Sequence, residues 1–196
     1  MTILSLYTSS LRKHPRITNS LSTGFLFGSG DIIAQFINPT EDKYDPHRTL
    51  RAVIYGSAIF SFVGDKWYRI LSKIKFPGPP LSNPKLNSIR TGVLKTGIDQ
   101  LGFAPIGIPL YYSIMSILEN KSIDGIGEKL EKNWLPTLQV NWMVWPIFQI
   151  FNLSLVPVQH QLLCVNVVSI FWNTYLSMRN SQKGVHLPVH SPPVPE

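Results

Sequence analysis

Two carboxylates stand inside apolar segments of this chain: Asp31 within Ile17–Asn38, and Asp99 within Thr96–Leu118. If such segments cross a bilayer, a charge at mid-depth costs about 2.5–3.5 kcal/mol on insertion scales. These residues then usually face a bundle interior or a watery cavity, and they carry function by default. Their neighbours differ. Lys95 stands one turn before Asp99 and can neutralise it as an i, i+4 pair. Asp31 has Phe27 and Gln35 at those positions, so it needs a partner from another helix, water, or a proton. Burial raises the pKa of a carboxyl group, which makes a pH gate at Asp31 a further expectation.

Amides form the second set. Gln100 follows Asp99, and Gln139, Asn141, Gln149, Asn152, Asn166 and Asn173 punctuate the last apolar stretch. Between helices an amide hydrogen bond contributes about 0.6 kcal/mol. Along a pore, amides give an uncharged and weakly selective lining. Both readings place them inside a bundle. The candidate lining or gating positions are therefore Asp31, Gln35, Lys95, Asp99, Gln100, Asn141, Gln149, Asn152 and Asn166.

Gly28-Ser29-Gly30-Asp31 also reads as the GxGD motif of intramembrane aspartyl proteases. Those enzymes need two carboxylates sharing a proton, and Asp99 would be the second. The order of landmarks argues against it. In that enzyme class a Tyr-Asp precedes GxGD and a Pro-Ala-Leu follows; here GxGD comes first, Ile98 precedes Asp99, and Pro-Ala-Leu is missing. The five histidines have no metal-ligand spacing, and no phosphate loop or nucleophile elbow occurs. The chain reads as a non-enzyme without cofactor or metal.

The elements that must position these groups are long and apolar. From Asn133 to Met178 the chain runs 46 residues without Asp, Glu, Lys or Arg. One crossing needs about 20 apolar residues, so this run suffices for two, divided best at Val156-Pro157. Earlier segments are Ile17–Asn38, Ala52–Gly64 (extendable to about Leu71) and Thr96–Leu118. Charged residues make up 15% of the chain, against roughly 25% in soluble domains. Net charge is +7, with 18 Lys and Arg placed between apolar segments. That placement suits topology and anionic lipid better than nucleic acid, so no direct nucleic-acid contact is expected. The single Cys164 allows no internal disulfide.

The expected fold is all-α, a polytopic membrane bundle of four to five helices. Residues 1–16 form a basic, acid-free segment, 17–179 the bundle, and 180–196 a Pro-rich disordered tail. An even number of crossings divides the Lys and Arg 12 to 6, and five crossings 10 to 8; the positive-inside rule favours the even count. Apolar length favours five. Pro136 and Pro146 allow part of 133–155 to lie in the interface or bend back. Trp67-Tyr68, Tyr111-Tyr112, Trp134, Trp172 and Tyr175 lie near segment ends as interface anchors, whereas Trp142 and Trp145 fall mid-segment.

An internal repeat suggests two two-helix units. Asn19-Ser20-x-x-Thr23-Gly24-x-Leu26 recurs as Asn87-Ser88-x-x-Thr91-Gly92-x-Leu94, with Asp31 and Asp99 at the same offset. Thr49-Leu50 and Ile59-Phe60 echo Thr137-Leu138 and Ile147-Phe148 at another offset. Ser20, Gly24 and Gly28 form a small-residue ridge, and Gly30 and Ala34 a second; such ridges allow close helix approach.

Trp142-x-x-Trp145-Pro146-x-x-Gln149-x-x-Asn152-x-x-x-Val156-Pro157, then Asn166-Val167-Val168 and Trp172-Asn173-Thr174-Tyr175-Leu176-Ser177, resembles the signature of the Mpv-seventeen family. The family is also called after the twenty-two-kilodalton peroxisomal membrane protein. Gly30-Asp31-x-x-x-Gln35, Trp67-Tyr68-x-x-Leu71 and Asp99-Gln100-x-x-x-Ala104-Pro105 resemble its other landmarks, over about residues 7–180. Gly64-Asp65-Lys66-Trp67-Tyr68 is most similar to fungal members, of the stress-inducible mitochondrial kind. The resemblance implies a multi-pass protein of the mitochondrial inner membrane, or alternatively of the peroxisomal membrane, usually drawn with four crossings. It implies a weakly selective channel for small solutes, linked to mitochondrial DNA maintenance and to heat and ethanol tolerance. The expected partners are the lipid bilayer, small solutes, and copies of itself or a larger complex. A structural protein that organises a membrane complex without conducting is the alternative. Two positions depart from the family pattern: Gln161 stands where an Arg is common, and Gly64-Asp65 where Gly-Pro is common.

Overall fold

The computed structural model describes residues 3–37 and 44–181. Among them six helices and no strand occur. Helix α1 is Ile3–Lys13 and α2 is Pro15–Ile37. Helix α3 runs through Pro46–Ile54, a π-helical stretch Tyr55–Phe60, and Ser61–Lys73. Helix α4 runs through Pro84–Ile98, a second π-helical stretch Asp99–Phe103, and Ala104–Leu118. Helix α5 is Ile123–Leu155 and α6 is Val158–Ser181.

Capping chemistry explains where these helices start. The Asp45 carboxylate accepts the backbone N–H of His47 and Arg48 at 2.8 and 3.2 Å, with Pro46 at the first helical position. Asn83 does the same for Lys85 and Leu86 at 2.9 and 3.4 Å, ahead of Pro84. Ser122 Oγ accepts Gly125 N–H at 3.2 Å. A side-chain oxygen that satisfies an orphan N–H, followed by a ring already set for helical φ, is a strong start signal. The helices therefore begin well ahead of their apolar runs, α4 at Pro84 rather than Thr96 and α5 at Ile123 rather than Asn133. Asn120, in the left-handed region at φ 56°, ends α4.

Two expectations about the ends of the long run differ. Pro136 and Pro146 do not break α5, which stays one helix of 33 residues; no part of it turns back. The division at Val156-Pro157 stands where the charge pattern puts it. Helix α6 continues through Asn180 and Ser181, past the expected end of the bundle. Residues 182–196, the rest of the expected tail, lie outside the described residues.

Polarity is arranged inside out. The α5 face at Asn133, Thr137, Asn141, Trp145, Gln149 and Asn152 is buried, at helical spacing of three or four. The opposite faces carry Ile147 and Phe171 at 80% exposure, Met143 at 77% and Phe25 at 72%. A soluble helix puts its apolar stripe inward; here amides point in and large apolar groups point out. Among the expected interior amides whose side chains are described, Gln139 is exposed. By length and composition alone, Pro84–Leu118 suffices to cross a membrane.

The largest helix contacts are α2 with α3, α4 with α5, and α2 with α6. Glycine permits all three. A Cβ on Gly30 would stand 2.6 Å from Asn173 Cβ and 3.1 Å from the α6 backbone, and a Cβ on Gly92 would run into Ser154 of α5. Gly24 likewise seats against Val53 and Ser57 of α3. Both small-residue ridges are used within the chain.

Candidate functional site

Asp31 is 1% exposed and held from three helices. Arg48 Nε donates to its Oδ1 at 2.8 Å. Ser177 Oγ of α6 also donates to Oδ1. Thr49 Oγ1 and Gln35 Nε2 donate to Oδ2 at 2.6 and 2.8 Å. Arg48 then reaches Ser177 Oγ at 2.8 Å. Gln35 closes the knot against the start of α3, donating to the Asp45 carbonyl at 3.0 Å and accepting the Asp45 N–H at 2.8 Å. Asp31 and Gln35 thus belong to a packed ion-pair clamp of α2, α3 and α6. The expected pore-lining place of Asp31 gives way to this packed contact with a buried guanidinium.

Asp99 has a different environment. Trp67 Nε1 donates to Oδ1 at 2.7 Å, and Gln100 Nε2 and Gln149 Nε2 donate to Oδ2 at 2.8 and 3.1 Å. Among the described residues no basic nitrogen lies within 4.0 Å of it. The anticipated Lys95 pair is not formed; Lys95 is buried without an ion-pair partner among the described residues. Three N–H donors converge on the carboxyl group.

Amides extend this site in both directions. Asn141 Nδ2 donates to Gln100 Oε1 at 2.7 Å. Gln149 Nε2 also donates to Tyr68 Oη at 2.9 Å. Asn152 Nδ2 donates to Gln149 Oε1 and to the Gln161 carbonyl, both at 3.3 Å. The structure therefore joins Asp99, Gln100, Asn141, Gln149 and Asn152 into one network across α4 and α5. Asn166 lies in α6, and its side chain is outside the described residues.

The π-helical turn at Asp99 has a chemical origin. Ala104 N–H goes to the Asp99 carbonyl, five residues back, and Pro105 has no N–H to offer. The Gln100 carbonyl is left over, and Trp142 Nε1 donates to it at 2.9 Å. Such single-turn π segments occur frequently at functional sites.

Asp99 and Gln149 line a cavity of about 110 Å³ at the centre of the bundle, and Asp31 does not. The two carboxylates share no partner, which removes the geometric basis for a proton-sharing protease pair. The cavity walls are aromatic. Trp67 stacks on Phe103 with centroids 4.9 Å apart, and Trp145 meets Trp172 edge-on at 5.8 Å. Trp67 is half-buried, and Tyr68, Tyr111 and Tyr112 are buried, so these four are interior rather than interface residues. Asn173 also lines the cavity, 4% exposed, with both amide atoms unpartnered among the described residues.

A third polar cluster closes one end of the bundle. Glu119 accepts Lys129 Nζ at 2.8 Å and Asn180 Nδ2 at 2.6 Å, joining the α4–α5 turn to the end of α6. Burial pushes the Lys129 ammonium down to about 8, against the opposing pull of Glu119.

A family profile described as Mpv17 / PMP22 matches residues 116–177. Protein SYM1 of Saccharomyces cerevisiae is 50% identical over 201 aligned positions that span the whole of both chains. Protein SYM1 of Debaryomyces hansenii is 53% identical over 179 positions, 89% of this chain and 87% of its own. Protein sym-1 of Neurospora crassa is 38% identical over 183 positions, 92% of this chain and 100% of its own.

The chain belongs to the Mpv17 / PMP22 family.

No solved structure matches it. Within this Mpv17 / PMP22 member, the two departures noted in the sequence have local work. Gln161 Nε2 donates to the Val156 carbonyl at 3.0 Å, closing the α5–α6 break without a charge. Asp65 accepts Asn19 Nδ2 at 3.3 Å and pairs with Arg69 at 2.8 Å.

Sequence reasoning missed Arg48, Ser177, Trp67 and Trp142 as partners of the site. The Asp45-Pro46 start signal would have placed Arg48 in the first turn of α3, on the face shared with Ala52 and Tyr55. For Ser177 and the two tryptophans no comparable local signal exists.

Proposed function

We propose that this Mpv17 / PMP22 member is a multi-pass protein of the mitochondrial inner membrane whose helix bundle forms a channel for small solutes. The observation that carries the reading is the central cavity, with Asp99, Gln149 and Asn173 on its wall inside a bundle whose outer faces are apolar. A bundle built to pack alone has no need of an uncompensated carboxylate there. Five helices, α2 to α6, have at least 23 residues each, or about 34 Å, against a hydrocarbon core of about 30 Å. We assign five crossings to them.

Successive hairpins α2–α3 and α4–α5 support a duplicated unit. In each, the repeat glycine seats against the following helix, and the repeat aspartate hydrogen-bonds a polar side chain of that helix, Thr49 or Gln149. The inner-membrane placement, the support of mitochondrial DNA maintenance and the tolerance of heat and ethanol rest on the family resemblance. Assembly into a homo-oligomer or larger membrane complex belongs to the same reading.

Reconstitution tests it. Pure protein in liposomes loaded with a small fluorescent solute releases that solute, and empty liposomes do not. Retention of the solute with correctly inserted protein would favour the non-conducting organiser instead.

A further inference from the structure

Conduction aside, the central cavity has the composition of a binding site. Its carboxylate is Asp99, which neutral donors hold and, among the described residues, no cation pairs with. Its walls include the rings of Trp67, Phe103, Trp145 and Trp172. Among its other polar groups is Asn173, whose amide nitrogen and oxygen are both buried and both without partners among the described residues. A buried amide left unsatisfied is costly, and native structures keep such groups where something else meets them. Gly30 of α2 approaches the Asn173 backbone and Cβ closely, which fixes where this side chain starts.

We infer that the cavity binds a small organic ammonium ion bearing a hydroxyl group. An ammonium over an aromatic face is attracted by the ring's negative centre, the more so once desolvated. Asp99 supplies the counter-charge, and Asn173 takes the hydroxyl. A metal cation suits the site poorly, because one carboxylate with aromatic walls offers too few oxygens for a hard ion. The inference is separate from the channel reading: binding is measured at equilibrium and release across a membrane, so either can fail alone.

Choline, its uncharged carbon isostere 3,3-dimethylbutan-1-ol, and tetramethylammonium are the probes. The full chain is purified into nanodiscs of phosphatidylglycerol, and each probe is titrated by tryptophan fluorescence and calorimetry. Choline is expected to bind at least about tenfold more tightly than its isostere. Asp99→Asn should abolish that difference. Asn173→Ala should weaken choline and leave tetramethylammonium unchanged, since the latter has no hydroxyl. Nanodiscs of phosphatidylcholine separate two sources of the same chemistry. If a lipid headgroup occupies the site, free choline no longer titrates there; if the ligand is free, it still does. Equal binding of choline and its isostere by the unaltered protein, or saturation by neither in phosphatidylglycerol, overturns the inference without need of any variant.

Discussion

Arg48 and Asp31 are a buried ion pair, 2.8 Å from Nε to Oδ1, and their guanidinium and carboxylate also share Ser177. The pair holds α2, α3 and α6 at one level of the bundle. Asp99, its counterpart in the repeat, has neutral donors instead. One repeated aspartate therefore serves packing and the other faces the cavity.

Removing one member of a buried pair strands the other, which costs about 3–5 kcal/mol. Asp31→Asn and Arg48→Met should each lower the melting temperature of the detergent-purified protein sharply. The double variant should recover part of the loss. Additive losses would show that the two residues act separately.

The α2–α6 contact leaves no room for a side chain at Gly30. Gly30→Leu should reduce stability by about 3 kcal/mol or more, because the nearest atoms are Asn173 Cβ and the α6 backbone rather than a flexible side-chain tip. Gly97 meets nothing within 4 Å, and Gly97→Ala should be neutral or slightly stabilising. A thermal shift series on the two variants checks the contrast.

Much of this arrangement was legible beforehand. The break at Val156-Pro157, the interior placement of Asn141, Gln149 and Asn152, and the two glycine ridges follow from spacing and residue type. Arg48 was hidden because it lies among loop charges, and only its cap places it on a buried helix face. Trp67 and Tyr68 were misplaced because position near a segment end suggests an interface anchor. Their partners, Asp99 and Gln149, come from 32 and 81 residues further along the chain. Pairings of that separation have no signature in local periodicity.

Trp142 is half-exposed to the outside yet its Nε1 serves the Gln100 carbonyl, which the π turn and Pro105 leave without a backbone donor. Trp142→Phe should cost about 1–3 kcal/mol through that stranded carbonyl. Trp134→Phe, at a bond of 3.2 Å to the Pro105 carbonyl from an exposed position, should cost less. Melting curves of both variants decide the order.

Lys129 lies in the first turns of α5, ahead of the charge-free run, and its folded-state pKa of about 8 is below the ordinary 10.5. Between these values the unfolded chain binds the proton more readily than the folded one. Stability therefore rises with pH across that window. Below about 8 the burial penalty on the charged form is present in full. The melting temperature should climb between pH 8 and 10, by an amount on the order of 1–3 kcal/mol, and Lys129→Gln should flatten the climb. A decline in the unaltered protein attributable to this lysine would reverse the sign.

The most direct measurement is the reversal potential of purified protein in a planar bilayer under a potassium chloride gradient. A cavity wall carrying the uncompensated Asp99 predicts stepwise conductance that favours the cation. It also predicts that Asp99→Asn weakens that preference while Asp31→Asn, if folded, leaves it alone. Silence from the inserted protein, or an ion preference indifferent to Asp99, would contradict the account.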